Sequence, residues 1–209
     1  ANASSQFGPE LGLVQYWEDV YDSPVVIFKF AVGGRPLTQG AGSANGTACF
    51  DPDVDQLFAA MEWEWHLFTE HCAEIEEKAV QAIGAFWWQG ESDKLHEPTN
   101  PGAYAAAFVR WKSAIRALAA VPNLPIVCAM PNNYDLTAYS GTDNLVRYAQ
   151  IQAAIDDPYQ AITTCSVAPD IYAPTVAERT TEGTHCEAPT RRAESGRAAV
   201  QLRTMREGT

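Results

Sequence analysis

The chain has 209 residues and 22.8 kDa, a size that fits one α/β domain with a full core better than two small ones. Twenty-six Asp and Glu against 14 Lys and Arg leave a net charge of −12, which argues against partners rich in phosphate, nucleic acid and anionic membrane alike. With 46% hydrophobic and 19% charged residues the sequence reads as globular, and its longest apolar runs, such as Pro24–Phe30, are too short to span a bilayer.

In chain order, Gly12–Tyr21 has a helical pattern, followed by the β-branched and apolar Pro24–Phe30, a predicted strand that ends at Gly33-Gly34. A loop of Gly, Ser, Asn and Thr covers 40–47. Val54, Leu57, Phe58, Met61, Trp65, Phe68, Cys72, Ile75 and Ala79 then keep the three-to-four spacing of a long amphipathic helix. Ala82–Trp88 is a second predicted strand. Tyr104, Phe108, Trp111, Ile115 and Leu118 mark a helix that opens near Pro101. Leu124–Met130, Leu145–Ile155, Ala161–Val167 and Pro189–Met205 complete the series as strand, helix, strand and helix. This alternation is the signature of a parallel sheet, whose chemistry gathers at the carboxyl ends of the strands.

Five cysteines follow no zinc-ligand spacing. Cys128 and Cys165 sit in apolar runs and read as core, while a Cys49–Cys72 bridge is conceivable. The sequence shows no signal-peptide pattern at its start, and it opens at Ala1. No Gly-x-Gly-x-x-Gly or Walker loop occurs, so nucleotide binding has no support.

Three places at predicted strand ends hold candidate chemistry. In Glu182-Gly183-Thr184-His185 the carboxylate can turn back onto the imidazole, fix its tautomer and stabilise the imidazolium. A solvated loop histidine is the competing reading. In Trp87-Trp88-Gln89-Gly90-Glu91-Ser92-Asp93 the Gln89 amide can donate to a developing oxyanion, and Glu91 can anchor the loop through backbone N–H groups. These polar residues would otherwise only satisfy the strand–loop junction. Gly33-Gly34 allows a backbone N–H to approach a ligand closely, or makes a plain turn.

Taken together, Phe7-Gly8-Pro9-Glu10-Leu11, Lys29–Gly34, Trp88–Asp93, Val146-Arg147-Tyr148-Ala149-Gln150 and Gly183-Thr184-His185 with Gly196 downstream form an ordered series. It resembles the sialate O-acetylesterase-like branch of the SGNH hydrolases, which includes the acetyl xylan esterases of carbohydrate esterase family six. The Trp-Gln-Gly-Glu-Ser-Asp run is the most specific piece. The resemblance implies a three-layer α/β/α sandwich on a flavodoxin-like parallel sheet, with residues 1–209 as a single domain. It implies removal of acetyl groups from sugar hydroxyls without metal or organic cofactor. By the same resemblance His185 is the general base, and Glu182 is its orienting carboxylate where the family usually has Asp. Gln89 is the side-chain oxyanion donor and Gly33 or Gly34 the backbone donor. Arg35-Pro36 departs from the family's Thr-Ser and reshapes the rim that faces sugar.

The larger departure concerns the nucleophile. The family carries it in a Gly-Gln-Ser-Asn block on the first strand, and only Ala1–Gln6 precede Phe7 here. The expectation is therefore that the nucleophile block and the first strand are missing from this sequence. A preceding segment or a partner chain would then supply the strand, since the sheet would otherwise carry unsatisfied N–H and C=O groups. Ser4, Ser5 and Ser43 are weak substitutes, and Ser92 occupies a position where the family's serine is not the nucleophile. Trp87, Trp88, Tyr134 and Tyr139 could stack on sugar faces, although both tryptophans also suit a core. The acidic balance favours neutral acetylated glycans over sialate. The alternative function is an SGNH-like domain that binds glycan without cutting it.

Overall fold

A computed structural model describes residues 13, 25–38, 48–54, 56–76, 79–90, 92–93, 101–129 and 143–163. They form a mixed α/β unit of three helices and three strands in the order α1 (Gln56–Glu76), β1 (Ala85–Trp88), α2 (Pro101–Leu118), β2 (Ile126–Ala129), α3 (Asp143–Ile155) and β3 (Gln160–Thr163). Each of these elements lies where the periodicity placed one. The predicted helices at 12–21 and 189–205 fall outside the described residues, apart from the helical Leu13.

The strands pair in parallel in the order β1-β2-β3, with Ala85 opposite Ile126 and Ile126 opposite Gln160. Parallel neighbours joined by helical crossovers bury both faces, and the side chains divide accordingly. Trp87, Ile126 and Cys128 join one core cluster with Tyr104, Ala107, Phe108 and Trp111 of α2 and Val146 and Ala153 of α3. On the opposite face Val127 packs with Leu13, Val25, Ile27, Ile83, Phe86 and Ala161.

Aromatic contacts dominate the first cluster. Trp87 and Trp111 lie 4.1 Å apart between ring centroids, and Phe108 stacks on Trp111 at 5.8 Å. Burying a ring of this size stabilises the fold by roughly 2–3 kcal/mol, so these few side chains carry much of the core. Helix α2 ends where Ala120 takes φ 53°, a left-handed residue that lets Val121 N–H reach back to the Arg116 carbonyl.

Two sequence expectations need correction. Val25–Phe30 is not a strand of the ladder. Its side chains still alternate, with Val25 and Ile27 joining the Val127 cluster and Phe28 and Phe30 the Trp87 cluster. The apolar pattern therefore fixes which way the side chains face, but a ladder also needs a neighbour at hydrogen-bonding distance. The second correction concerns cysteine: Cys72 carries a free thiol, so the Cys49–Cys72 bridge is not formed. Cys128 is buried core, as expected, and Cys165 lies outside the described residues.

Helix α1 is packed along one side only, with Trp65 and Phe68 half-buried against Phe28. Phe58 and Met61 are buried, whereas Trp63, Leu67 and Ile75 are exposed. No described helix is long and apolar enough to cross a membrane.

Candidate functional site at the carboxyl end of the sheet

Strand β1 delivers Gln89 and Gly90 to its carboxyl end, and Gly90 turns the chain at φ 147°. Gly34, at φ 69°, makes the corresponding turn after Val25–Phe30, in a region of backbone space that disfavours any residue with a Cβ. A Cβ on Gly33 would meet nothing within 4 Å, so Gly33 faces open space.

These two turns are tied together by one carboxylate. Asp93 is fully buried and accepts hydrogen bonds from Leu37 N at 2.8 Å, Thr38 N at 2.9 Å, Thr38 Oγ1 at 2.6 Å and Gln89 Nε2 at 2.5 Å. Each donor is neutral, and together they fill the acceptor sites that ionised carboxylate oxygens offer. Gln89 Nε2 also donates to the Arg35 carbonyl at 3.3 Å. The loop is held from its other side by Phe50 N, which donates to Pro36 O at 3.1 Å. Asp51, beside Phe50, is clamped by the Arg110 guanidinium, whose pKa is raised chiefly by that hydrogen bond.

A second polar layer lies behind Gln89. Gln150, fully buried on α3, donates from Nε2 to the Gln89 carbonyl at 3.2 Å and to the Tyr104 hydroxyl at 2.8 Å. Tyr104 Oη reaches the same Gln89 carbonyl at 3.5 Å, and Trp87 Nε1 lies 3.5 Å from the hydroxyl. Burial, with the charges of Cys128 and Asp93 adding to it, pushes the Tyr104 phenol well above its ordinary pKa and keeps it a neutral donor.

Gln89 Oε1 and Gln150 Oε1 are buried without a hydrogen-bond partner, as are Gln160 Oε1 and Trp111 Nε1 elsewhere in the core. A buried acceptor without a donor costs about 1–3 kcal/mol, and two of the four such atoms among the described residues lie at this strand end.

Of the residues singled out from the sequence, Gln89 reaches the carbonyl of Arg35, the residue that follows Gly33-Gly34 in the chain. Glu91, Glu182 and His185 lie outside the described residues, as do Tyr134 and Tyr139. Both Gln89 N–H groups are directed at protein acceptors, so oxyanion donation requires one of them to be shared or released. Trp87 is buried core and unavailable for stacking on sugar, while Trp88 is half-buried against Phe86. Asp93 accepts the backbone N–H groups of Leu37 and Thr38, while Glu91, expected to anchor its loop through backbone N–H groups, lies outside the described residues.

Sequence reasoning gave no role to Asp93, Gln150 or Tyr104. The legible signal for Gln150 was its place in the apolar stripe of α3, four residues after buried Val146 and three before buried Ala153. Among the described residues, no group of three or more His, Cys, Asp or Glu side chains could hold a metal ion. Comparison with protein-family models and with curated proteins returns no match for this chain.

Proposed function

We propose that this chain is an SGNH-hydrolase-like domain, a three-layer α/β/α sandwich of the sialate O-acetylesterase-like branch, and that it removes O-acetyl groups from a neutral carbohydrate. One observation carries this reading. Two loops 54 residues apart in sequence, each named by the resemblance, meet at the carboxyl end of β1 through the bond from Gln89 Nε2 to Arg35 O. That is where an open parallel sheet places its ligands.

In the proposed reaction a serine hydroxyl attacks the acetyl carbonyl carbon while His185 takes its proton, with Glu182 holding the imidazole. Gln89 and the backbone N–H of Gly33 or Gly34 stabilise the oxyanion, and Glu91 supports their loop. Collapse of the tetrahedral intermediate breaks the bond to the sugar oxygen, which leaves with the proton from His185. Water then hydrolyses the acyl-enzyme and releases acetate. No cofactor enters the reaction.

The serine arrives on an added strand, from a preceding segment or a partner chain. The outer edge of β1 is the receiving place. Ala85 N–H donates to Pro125 O on the β2 side, so the N–H and C=O groups of Phe86 and Trp88 point the other way. No described strand pairs with that edge. An uncharged strand edge of this kind is a template for pairing.

The test is acetate release from p-nitrophenyl acetate and from acetylated xylan by the protein assayed together with the segment or partner that carries the serine strand, with His185→Ala as the control. The proposal expects the variant to lose roughly 10³-fold or more in rate. Equal rates in both proteins overturn it. The second reading, a glycan-binding domain without hydrolysis, is favoured by the inward direction of both Gln89 N–H groups. It predicts saturable binding of acetylated xylan with no acetate released by either protein.

A further inference from the structure

We infer that Asp93 is a positioning residue that sets which end of the Gln89 amide faces the candidate site, an inference that deepens the esterase reading. The two hydrogen bonds from Gln89 Nε2 are unequal. The bond to Asp93 Oδ2, at 2.5 Å, is charge-assisted, and the bond to the Arg35 carbonyl, at 3.3 Å, is long. The carboxylate therefore fixes the amide by one N–H and leaves the other loosely held. That second N–H is the one an oxyanion can recruit.

The opposite orientation is excluded by charge. Turning the amide over would bring Gln89 Oε1 against the carboxylate, with an acceptor facing an acceptor. As the amide stands, Oε1 is buried and without a partner. This unfavourable placement persists because Asp93 requires a donor. The rest of the carboxylate is occupied: Oδ1 accepts both Thr38 N and Thr38 Oγ1, and Oδ2 accepts Leu37 N beside Gln89. One side chain thus sets the register of the 35–38 loop and the polarity of the amide beside it.

Asp93→Asn tests this with little change in shape. The two Thr38 donors hold the Asn carbonyl oxygen at the Oδ1 position, which places the new NH2 group against Gln89 and deprives Leu37 N–H of its acceptor, a loss expected to lower the melting temperature. The Gln89 amide then turns over and offers its Oε1 to that group. In the wild-type protein the two side-chain amide protons of Gln89 are widely split in the NMR spectrum, because one faces a carboxylate. In Asp93→Asn the splitting collapses.

In the esterase assay of the same proteins, kcat falls roughly 10²-fold with KM nearly unchanged, as for loss of a single oxyanion donor. Thr38→Val removes a hydroxyl from the same carboxylate without touching Gln89. It lowers the melting temperature and leaves the Gln89 splitting intact. An unchanged splitting in Asp93→Asn overturns the inference, as does a collapse in Thr38→Val. A wild-type protein that carries its serine strand and shows the splitting but releases no acetate overturns the esterase reading and leaves the orientation by Asp93 standing.

Discussion

The two ends of the sheet solve the burial of polar groups in opposite ways. At the amino ends of the strands Asp157 faces two cations, with Lys112 Nζ at 3.0 Å and Arg116 Nη1 at 2.8 Å, and it also accepts from Tyr159 N at 3.0 Å. Arg116 reaches on to the Leu124 and Tyr159 carbonyls, which lead into β2 and β3. Charge there meets opposite charge. At the carboxyl end a buried carboxylate is met only by neutral donors, and two glutamine oxygens have no partner. The amino end is tied by ion pairs, although Gln160 Oε1 at the start of β3 has no partner either, whereas the carboxyl end, where parallel sheets hold ligands, keeps its carboxylate on neutral donors.

That contrast can be broken by substitution at each end. The largest effect is expected for Asp93→Ala, which leaves two backbone N–H groups, a hydroxyl and an amide without their acceptor. Unfolding by denaturant is expected to show a loss of about 4 kcal/mol. A loss below about 1 kcal/mol would mean that water replaces the carboxylate and that this end is open.

Next is Asp157→Asn, expected to cost about 2–4 kcal/mol because Lys112 and Arg116 keep buried charge without a counter-ion. This site also carries a pH signature. Burial alone would raise the Asp157 pKa, but the hydrogen bonds and charges of Arg116 and Lys112 outweigh it and hold the carboxyl below its ordinary value. A carboxyl depressed in the folded state contributes stability that is fully present above its unfolded pKa, about 3.9, and is lost as pH falls through the folded value. Acid titration of the melting temperature therefore shows a steeper fall below about pH 4 in the wild-type protein than in Asp157→Asn. Parallel curves would remove Asp157 as the source of acid sensitivity.

The smallest effect, and the sharpest test of the contrast, is Gln150→Met. It loses the bonds to Gln89 O and Tyr104 Oη but also removes a buried oxygen that has no donor. The two terms oppose each other, and calorimetry should find a net change within about 1 kcal/mol. A loss of several kcal/mol would show that the Gln150 amide is structural in the same sense as Asp157.

The sequence made the fold legible wherever an element carries its own period. Phe58 and Met61 on α1, Tyr104, Phe108 and Trp111 on α2, and Val146 and Ala153 on α3 repeat at helical spacing and are buried. The apolar runs at β1 and β2 reveal parallel strands for the same reason. Val25–Phe30 misled because pairing depends on a partner strand, which no local pattern encodes. Within the candidate site, the place of Gln89 at the end of β1 was legible from the apolar run before it, and the turn at Gly34, with φ 69°, from the glycine pair. The clamp was not: Asp93 meets Thr38 across 55 residues of chain, and a contact of that kind leaves no trace in spacing.

The central claim is that the imidazole of His185 and the amide of Gln89 serve one pocket at the carboxyl end of β1. A crystal structure that locates His185 tests it most directly. The account predicts the imidazole on the Gln89 side of the sheet, with room between the two groups for a reacting atom about 3 Å from the oxyanion donors. An imidazole found at the opposite end, beside Asp157, would contradict it.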